Sequence, residues 1–121
     1  MSSLKISVVI PVFNEEKTIA RLLDRVARAP YPEAVSSVEL VVVDDCSRDG
    51  TPELLASYAL PEGLPRPSEL LRLRHQVNQG KAAALRTGFA SASGDIVVVQ
   101  DADLEYDPSD YPALLGPILA G

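Results

Sequence analysis

The 121-residue sequence predicts an α/β domain of three layers (α/β/α), in which helices cover both faces of a mainly parallel sheet. The first observation behind this prediction is that short β-branched runs alternate with helical patterns in the order β-α-β-α-β-α-β-α. This alternation favours a parallel sheet with right-handed crossovers. The second is composition, because 46% hydrophobic and 23% charged residues are typical of a globular domain. The length allows one small domain.

The first two strand–helix pairs are marked by apolar runs and by residues typical of helix starts. Residues 5–12 predict a buried strand, and residues 14–29 predict a helix with one apolar stripe. Residues 37–45 predict the second buried strand. After a turn, a short helix is expected to have Thr51 as its cap and Pro52 at its first position.

The second half of the chain is less uniform. A Pro-rich connection at 61–69 leads to a weaker, alternating strand at 70–76. Residues 78–94 combine a glycine turn with an alanine-rich helix. Residues 95–103 are the most apolar predicted strand, and a last helix is expected over 113–121.

The chain is acidic, with a formal net charge of -6 and a pI of about 4.6. This charge argues against non-specific binding to DNA or to anionic lipid, and it suits a site that binds a cation. Cys46 is the only cysteine, so no disulfide can form within the chain, and we expect a cytoplasmic location. No stretch approaches the ~20 apolar residues that a membrane-spanning helix needs.

Polar clusters follow all four predicted strands. They are NEE at 14–16, DD at 44–45, NQGK at 78–81 and DADLE at 101–105. In open parallel sheets, ligands bind at the carboxyl ends of the strands. Four polar clusters at four strand ends therefore predict a functional site along this edge of the sheet.

The last of these clusters predicts a metal site. Asp101 and Asp103 flank Ala102, and residues two apart in extended backbone point to the same side. Two such carboxylates raise each other's pKa, and a divalent cation removes that penalty. Mg²⁺ and Mn²⁺ prefer oxygen ligands and often bind substrate phosphates as well. The pattern predicts a metal–diphosphate site; the alternative is a solvated acidic loop.

The other clusters predict contacts with a nucleotide. Glu15 can lie near a base or ribose, whereas Asn14 is expected to be only a helix cap. Asp45 ends a strand, where its carboxylate can accept from a base N–H, while Asp44 is the candidate for satisfying loop amides. Lys81 follows a glycine turn at a helix N-terminus, which favours a phosphate. Neither GxxxxGK[ST] nor GxGxxG occurs.

Four further residues are assigned structural roles. His75, the only histidine, lies in the weakest strand and is expected to be at the surface or half-buried. Cys46 has no histidine partner for nucleophilic chemistry and is expected to be a small filler. Tyr106 and Tyr111 are expected to pack near the acidic loop.

Four segments together resemble the nucleotide-sugar part of family 2 glycosyltransferases with the GT-A fold, a Rossmann-like α/β/α fold. The segments are SVVIPVFNEEKTI, VVVDDCSRDGT, NQGKAAALRTGF and GDIVVVQDADLEYDP, and they cover nearly the whole chain. Each alone is a weak signal, but their order and spacing are specific. The group most resembled is the dolichyl-phosphate mannosyl- and glucosyltransferases and their bacterial polyprenyl-phosphate relatives, enzymes of glycan and cell-wall biosynthesis.

The resemblance implies a hexosyltransferase with a nucleotide-diphospho-sugar donor, GDP-mannose or UDP-glucose, and with Mg²⁺ or Mn²⁺ as cofactor. The nucleotide-sugar positions are Pro11, Phe13, Glu15, Val43, Asp45, Lys81, Asp101, Ala102 and Asp103. The metal positions are Asp101, Asp103 and Glu105. Arg86 joins Lys81 among the helix positions that face the phosphates. The resemblance identifies no catalytic residue in this chain.

The resemblance also bears on domain organisation and acceptor. Family members continue well past the DxD motif, so we expect residues 1–121 to be the nucleotide-sugar-binding part of a GT-A domain, truncated after that motif. The C-terminal acceptor part is then absent, and the fragment alone binds donor weakly and turns over little. The expected acceptor is a polyprenyl or dolichyl phosphate, whose anionic oxygen needs no strong base, or a glycan. No nucleic-acid partner is expected, and the full enzyme is compatible with peripheral association at the cytoplasmic face of a membrane.

Three positions depart from the family pattern. Phe13 stands where many relatives carry Tyr, and Cys46 and Ala82 stand where Gly is common. None of the three is a predicted metal ligand.

Three alternatives stay open at this point. A receiver-type signalling domain shares the sheet and an acidic pair, but it needs that pair after strand one and a lone Asp after strand three. A nucleotidyltransferase needs a basic, glycine-rich loop after strand one, where this chain has PVFNEE. The third alternative is a non-catalytic nucleotide-binding fragment.

Overall fold

Four parallel strands form one sheet, in the order β3-β2-β1-β4, in the computed structural model, which describes residues 4–102 and 107–119. The strands are β1 Leu4–Val12, β2 Val35–Asp44, β3 Ser68–Arg74 and β4 Ile96–Val99. The helices are α1 Ile19–Ala27, α2 Thr51–Ser57, α3 Lys81–Ser91 and α4 Tyr111–Leu119, with a 3-10 turn at Pro108–Asp110. The predicted element order and the parallel sheet are confirmed.

Two apolar cores lie on the two faces of the sheet, because successive side chains of a strand point to opposite faces. On one face, Ile6, Val8 and Ile10 of β1 pack with residues of α1, α2 and α4. On the other face, Val9 of β1 packs with β2 and with Ala84 of α3. This arrangement gives the three layers that the alternation of elements predicts.

The register of the sheet brings the carboxyl ends of the strands to one edge. Val12 of β1 is paired with Asp44 of β2, and Asp44 with Arg74 of β3. On the other side of β1, Val9 is paired with Val99, the last residue of β4. The polar clusters that follow the four strands therefore begin side by side.

Helix α3 lies close to the sheet because its inner face consists of small residues. Ala83 and Ala84 are buried, and a Cβ added at Gly88 would lie 2.4 Å from Val9 Cγ1. A side chain at position 88 would force the helix away from β1. The small residues thus determine how close Lys81, the first residue of α3, lies to the sheet edge.

The predicted cap of α1 is wrong. This helix begins at Ile19, and its N-cap is Thr18. Asn14 has a φ of 54° and contacts the loop after β2 instead. Its backbone amide donates to Ser47 Oγ at 2.9 Å, and its side-chain Oδ1 accepts from Arg48 N at 2.8 Å. These partners, 33 and 34 residues away, override the local capping pattern.

The predicted cap of α2 is also wrong. The N-cap is Gly50, and Thr51 is already helical and fully buried, with Pro52 in the second helical position. Thr51 Oγ1 accepts from Glu15 N at 3.0 Å, while the Thr51 amide donates to Asp49 Oδ1 at 2.9 Å. Thr51 therefore holds the loop after β1 in place and does not cap its own helix.

The last elements differ in length from the prediction. The strand expected over 95–103 is limited to Ile96–Val99 and lies at an edge of the described sheet, where Val97 is 41% exposed. Helix α4 begins at Tyr111, two residues before the expected start. Within residues 4–102 and 107–119, no helix has the length and apolar character that crossing a membrane requires.

Candidate functional site

A pocket of about 400 Å³ opens at the carboxyl edge of the sheet, a size typical of small-molecule sites. Seven of the nine predicted nucleotide-sugar residues line it, namely Pro11, Phe13, Glu15, Asp45, Lys81, Asp101 and Ala102. They come from the segments that end β1, β2 and β4 and from the start of α3. The pocket is also lined by residues that were not among the predicted contacts, namely Val12, Asn78, Gly80 and Ala84.

The other predicted contacts lie away from this pocket or outside the described residues. Val43 is fully buried and packs in the core beside α3, because its side chain points to that face of the sheet. Arg86 is exposed on α3 and does not line the pocket. Asp103 and Glu105, two of the three predicted metal ligands, lie outside the described residues, as does Tyr106.

Asp45 is a buried carboxylate in the pocket wall, only 4% exposed. Its Oδ1 accepts from Gln79 N at 2.9 Å and lies 2.7 Å from His75 Nδ1, while its Oδ2 accepts from Gly80 N at 2.8 Å. Burial acts to raise the pKa of the Asp45 carboxyl, but the two amides and the imidazole outweigh it and hold the pKa below its ordinary value. Asp45 is therefore ionised at neutral pH.

His75 is buried, against the prediction that it would be at the surface or half-buried. It is 7% exposed, and both ring nitrogens have partners. Because an ionised carboxylate only accepts, Nδ1 donates to Asp45, and Nε2 lies 2.8 Å from Thr87 Oγ1 of α3. These partners are 30 and 12 residues away in the chain, so no local pattern marks this role.

Asp44 has the structural role that the sequence predicts. It is 2% exposed, and its Oδ1 accepts from Ser47 N at 3.0 Å in the following loop. Its Oδ2 lies 3.7 Å from Arg74 Nε and has no hydrogen-bond partner among the described residues. Asp44 is not a lining residue of the pocket, so the two neighbouring acids have different environments.

The loop after β1 forms another wall of the pocket. Phe13 is 43% exposed, and Glu15 Oε2 accepts from Thr18 Oγ1 at 3.1 Å. In the facing loop, Cys46 has a φ of 62° and its Sγ lies 3.5 Å from Gln76 O. The hydrogen bonds of Asn14 and Thr51 join the two loops. Contacts between the segment after β1 and the segment after β2 therefore hold this wall in place.

Lys81 and Asp101 form an ion pair across the pocket. Lys81 Nζ lies 2.5 Å from Asp101 Oδ1, and Asp101 is 9% exposed. Gly80, which precedes Lys81, has a φ of 95°, a left-handed conformation that favours glycine. That turn lets the Gly80 amide point at Asp45 while α3 begins with Lys81 beside the pocket.

The acidic side of this pocket suits a cation. Asp101 already holds one positive group at the pocket wall, and its oxygens are ligands that Mg²⁺ and Mn²⁺ prefer. In the part of the chain that the structure describes, no three His, Cys, Asp or Glu side chains form a group that could hold a metal ion. Asp101 thus offers one ligand, and the other two predicted ligands come two and four positions later in the chain.

Tyr111 packs as predicted. Its hydroxyl donates to Gln100 Oε1 at 2.7 Å, and its ring lies 5.5 Å from that of Tyr31, centroid to centroid. Burial raises the pKa of Tyr111 far above its ordinary value, so it stays protonated. Tyr111 thus holds the start of α4 against Gln100, which follows β4 and precedes the pocket residue Asp101.

Two curated relatives match almost the whole chain. The undecaprenyl-phosphate 4-deoxy-4-formamido-L-arabinose transferase of Aeromonas hydrophila is 39% identical over 116 residues, 96% of this chain and 34% of the relative. The dodecaprenyl-phosphate galacturonate synthase of Rhizobium johnstonii is 38% identical over 121 residues, 98% of this chain and 33% of the relative. The chain spans about a third of the length of these relatives.

Solved structures have the same fold. Residues 1–349 of Staphylococcus aureus TarS in complex with UDP-GlcNAc match with a TM-score of 0.73 and 27% identity, over 97% of this chain and 31% of that chain. A second match is glucosyl-3-phosphoglycerate synthase of Mycobacterium tuberculosis, solved with Mn²⁺, UDP and glucosyl-3-phosphoglycerate. Its TM-score is 0.70 and its identity is 34%, over 98% of this chain and 41% of that chain. The predicted GT-A fold is confirmed.

The family model named Glycosyl transferase family 2 matches residues 7–121. The four ordered segments, the fold and this match agree, and they exclude the receiver-type and nucleotidyltransferase alternatives. The chain belongs to glycosyl transferase family 2.

Proposed function

We propose that residues 1–121 are the donor-binding part of a glycosyltransferase that moves a hexose from a nucleotide-diphospho-sugar to a polyprenyl or dolichyl phosphate. One observation carries this proposal: Asp45, Lys81 and Asp101, from three separate segments, meet in one pocket at the carboxyl edge of the sheet. The names of the two curated relatives contain undecaprenyl and dodecaprenyl phosphate, which supports this acceptor class.

In this proposal the diphosphate of the donor lies between α3 and the end of β4. Lys81 begins α3, so its ammonium and the positive end of the helix dipole face the same space. Phosphate oxygens would draw the Lys81 ammonium away from Asp101. The Asp101 carboxylate is then left to a second cation.

That second cation is proposed to be Mg²⁺ or Mn²⁺, held by Asp101 with Asp103 and Glu105. When bound, such an ion neutralises negative charge on the departing nucleoside diphosphate. The neighbour from Mycobacterium tuberculosis was solved with Mn²⁺ and UDP, which supports the use of a divalent cation.

Asp45 is proposed to bind the base, with a preference for uracil over guanine. Among the described residues, its Oδ1 accepts from His75 and Gln79, and its Oδ2 accepts from Gly80 alone. Since each carboxylate oxygen has about two acceptor positions, one position on Oδ2 remains for a ligand. Uracil has a single imide N–H, whereas guanine presents an N–H and an amino group that together need both carboxylate oxygens.

The proposed donor is therefore a UDP-hexose such as UDP-glucose, and not GDP-mannose. The complexes of two structural neighbours with UDP-GlcNAc and with UDP support a uridine nucleotide. Phe13 is placed to cover the base, because it is exposed and lines the same pocket as Asp45.

Transfer to a phosphate acceptor needs little help from a general base. The acceptor oxygen is anionic at neutral pH and attacks the anomeric carbon while the bond from that carbon to the diphosphate oxygen breaks. The electron pair leaves with UDP, and the Lys81 ammonium stabilises the charge that develops there. These 121 residues supply the leaving-group side of this reaction.

We also propose that the full enzyme acts in the cytoplasm, at the cytoplasmic face of a membrane. The proposed donor is a water-soluble nucleotide, whereas the proposed acceptor carries a long lipid chain. The two meet where a peripheral protein binds the membrane surface. A nucleic-acid partner does not fit the formal net charge of -6.

Calorimetric titration of the chain with UDP, GDP and pyrophosphate, each with and without Mn²⁺, tests the donor site. We expect Mn²⁺-dependent binding of UDP at least about tenfold tighter than binding of GDP. Absence of Mn²⁺-dependent heat with all three compounds would contradict the donor site. Equal affinity for UDP and GDP would contradict the preference for uracil.

The second candidate function is a non-catalytic nucleotide-binding fragment; the chain spans about a third of the length of the curated relatives. Incubation of the chain with UDP-glucose, Mn²⁺ and a radiolabelled polyprenyl phosphate separates the two. Formation of lipid-linked glucose supports an enzyme, whereas nucleotide binding without transfer or hydrolysis supports the binding fragment.

A further inference from the structure

We propose that His75, anchored by Thr87, is a positioning residue that gives Asp45 its preference for uracil. This inference rests on the proposed function, because it explains how the base-binding carboxylate is limited to one ligand N–H. It adds two specificity-determining residues, His75 and Thr87, neither of which is among the predicted site residues. Neither His75 nor Thr87 lines the pocket.

The first step of the argument is the chain of contacts behind the pocket wall. Thr87 Oγ1 of α3 lies 2.8 Å from His75 Nε2, and His75 Nδ1 lies 2.7 Å from Asp45 Oδ1. In the neutral ring, Nδ1–H donates to Asp45, and Nε2 accepts from the Thr87 hydroxyl. The histidine therefore joins helix α3 to the carboxylate of the residue that directly follows β2.

The second step is the rigidity of this histidine. His75 is 7% exposed and directly follows β3, and its amide donates to Asp44 O at 2.9 Å. The backbone position and both ring nitrogens are thus fixed by separate elements. A histidine held at its backbone amide and at both ring nitrogens keeps the direction of its N–H to Asp45 constant.

The third step concerns what the carboxylate does without this N–H. Among the described donors, Asp45 would then keep only the amides of Gln79 and Gly80, and its carboxylate would be free to turn until one acceptor position of each oxygen faces the pocket. Two open positions, one on each oxygen, match the two donors of guanine. Loss of His75 is therefore expected to weaken UDP binding and to remove discrimination against GDP.

Four variants distinguish a His75 that positions the Asp45 carboxylate from a His75 that only stabilises the fold. His75→Leu removes both polar contacts, whereas His75→Asn keeps a donor near the position of Nδ1. Thr87→Val keeps the histidine but removes its hydroxyl partner. Ser7→Ala is the matched control, because it disturbs a buried polar contact, Ser7 Oγ to Glu39 Oε1 at 2.8 Å, at the opposite end of the sheet.

The measurement is calorimetric binding of UDP, GDP and pyrophosphate to each variant in the presence of Mn²⁺. Pyrophosphate lacks a base, so it reports on the diphosphate site alone. We expect His75→Leu to weaken UDP binding about tenfold and to bring the UDP-to-GDP affinity ratio close to one. His75→Asn restores most of the ratio, Thr87→Val lowers it about threefold, and Ser7→Ala leaves it unchanged.

Four results would overturn the inference. The first is an equal loss of affinity for UDP, GDP and pyrophosphate in His75→Leu, which indicates a merely structural histidine. The second is an unchanged UDP-to-GDP ratio in Thr87→Val, which decides the question if His75→Leu does not fold. A wild-type chain that binds pyrophosphate with Mn²⁺ but does not prefer UDP refutes the proposed uracil site and, with it, this inference. A preference kept by every variant refutes the inference alone.

Discussion

Two buried carboxylates at opposite ends of the sheet, Glu39 and Asp45, have similar burial but different surroundings. Glu39 is 6% exposed and accepts from Ser7 Oγ, Ser93 N and Ser93 Oγ at 2.8, 3.0 and 3.2 Å. Lys5 Nζ lies 3.6 Å from Glu39 Oε2 and closes this network. Asp45 also has three donors in the part of the chain that the structure describes, but these leave one of its acceptor positions open beside a pocket.

The pKa values of the two groups do not separate these roles. Burial acts to raise the pKa of Glu39, but the Ser93 amide, the Ser7 hydroxyl and the Lys5 ammonium outweigh it and hold the pKa below its ordinary value. The pKa of Asp45 is lowered in the same way by its own partners. A buried, ionised carboxylate is therefore not by itself a functional residue; an open acceptor position next to a cavity makes the difference.

Asp45→Ala is expected to have the largest effect on binding. It removes the shared acceptor of His75, Gln79 and Gly80 and leaves buried donors without a partner, at about 1–3 kcal/mol each. We expect UDP affinity to fall about 100-fold, and pyrophosphate affinity to fall much less. Calorimetry with both ligands measures the two losses, and a UDP affinity that stays within about twofold of wild type would contradict the role of Asp45.

Glu39→Gln tests the other end of the comparison. The amide that replaces one carboxylate oxygen would face the donors of Ser7 and Ser93, so unfolding should become easier by about 1–3 kcal/mol. Urea denaturation measures this change. Affinities for UDP and pyrophosphate should not change, and a loss of UDP affinity would mean that the amino end of the sheet also supports the site.

Lys81→Met is expected to change two affinities in opposite directions, each by less than Asp45→Ala changes UDP affinity. Lys5→Met is its matched control. Without the ammonium at 2.5 Å, Asp101 should bind Mn²⁺ about threefold more tightly in the absence of nucleotide. Pyrophosphate should bind about tenfold more weakly, because a phosphate partner is lost. Lys5→Met should change neither affinity, since Lys5 pairs with Glu69 and Glu39 at the far end. Equal effects of the two variants would show only a response to net charge.

Acid pH is expected to produce the smallest and most gradual change. Because the folded-state pKa of Asp45 and of Glu39 lies below the ordinary values of 3.8 and 4.5, their contribution to stability is fully present above those values. It is lost as the pH falls from the ordinary value through the lowered one. Urea denaturation between pH 7 and about pH 3 should show stability falling only at the acid end. The fall should be shallower in Asp45→Ala and in Glu39→Gln, and an unchanged slope in both would contradict the shared pKa shift.

Much of the fold was predictable because it depends on local patterns. The buried strand at 5–12 and the helix starting with Lys81 lie close to their expected places, since apolar runs and glycine turns act within a few residues. Seven predicted contacts line one pocket for the related reason that parallel strands end at one edge. Asp44 also has its expected role, since its partner Ser47 is only three residues away.

The predictions that failed concern side chains with distant partners. Asn14 and Thr51 fit a capping pattern, but each contributes its polar groups to a loop 33 to 36 residues away. His75 follows an ordinary edge strand, and nothing near it in the chain indicates contacts with Asp45 and Thr87. Val43 was assigned by position to the pocket, yet the alternation of β2 turns it into the core.

The sequence by itself determined the order of strands and helices, the parallel sheet and the edge at which polar residues gather. These follow from hydrophobic period and turn chemistry, which act between near neighbours. Only the tertiary structure decided which of the two buried carboxylates, Glu39 or Asp45, keeps an open acceptor position beside a pocket. That choice depends on donors brought in from β3, α3 and the loop before it, and folding alone brings such distant groups into hydrogen-bonding range.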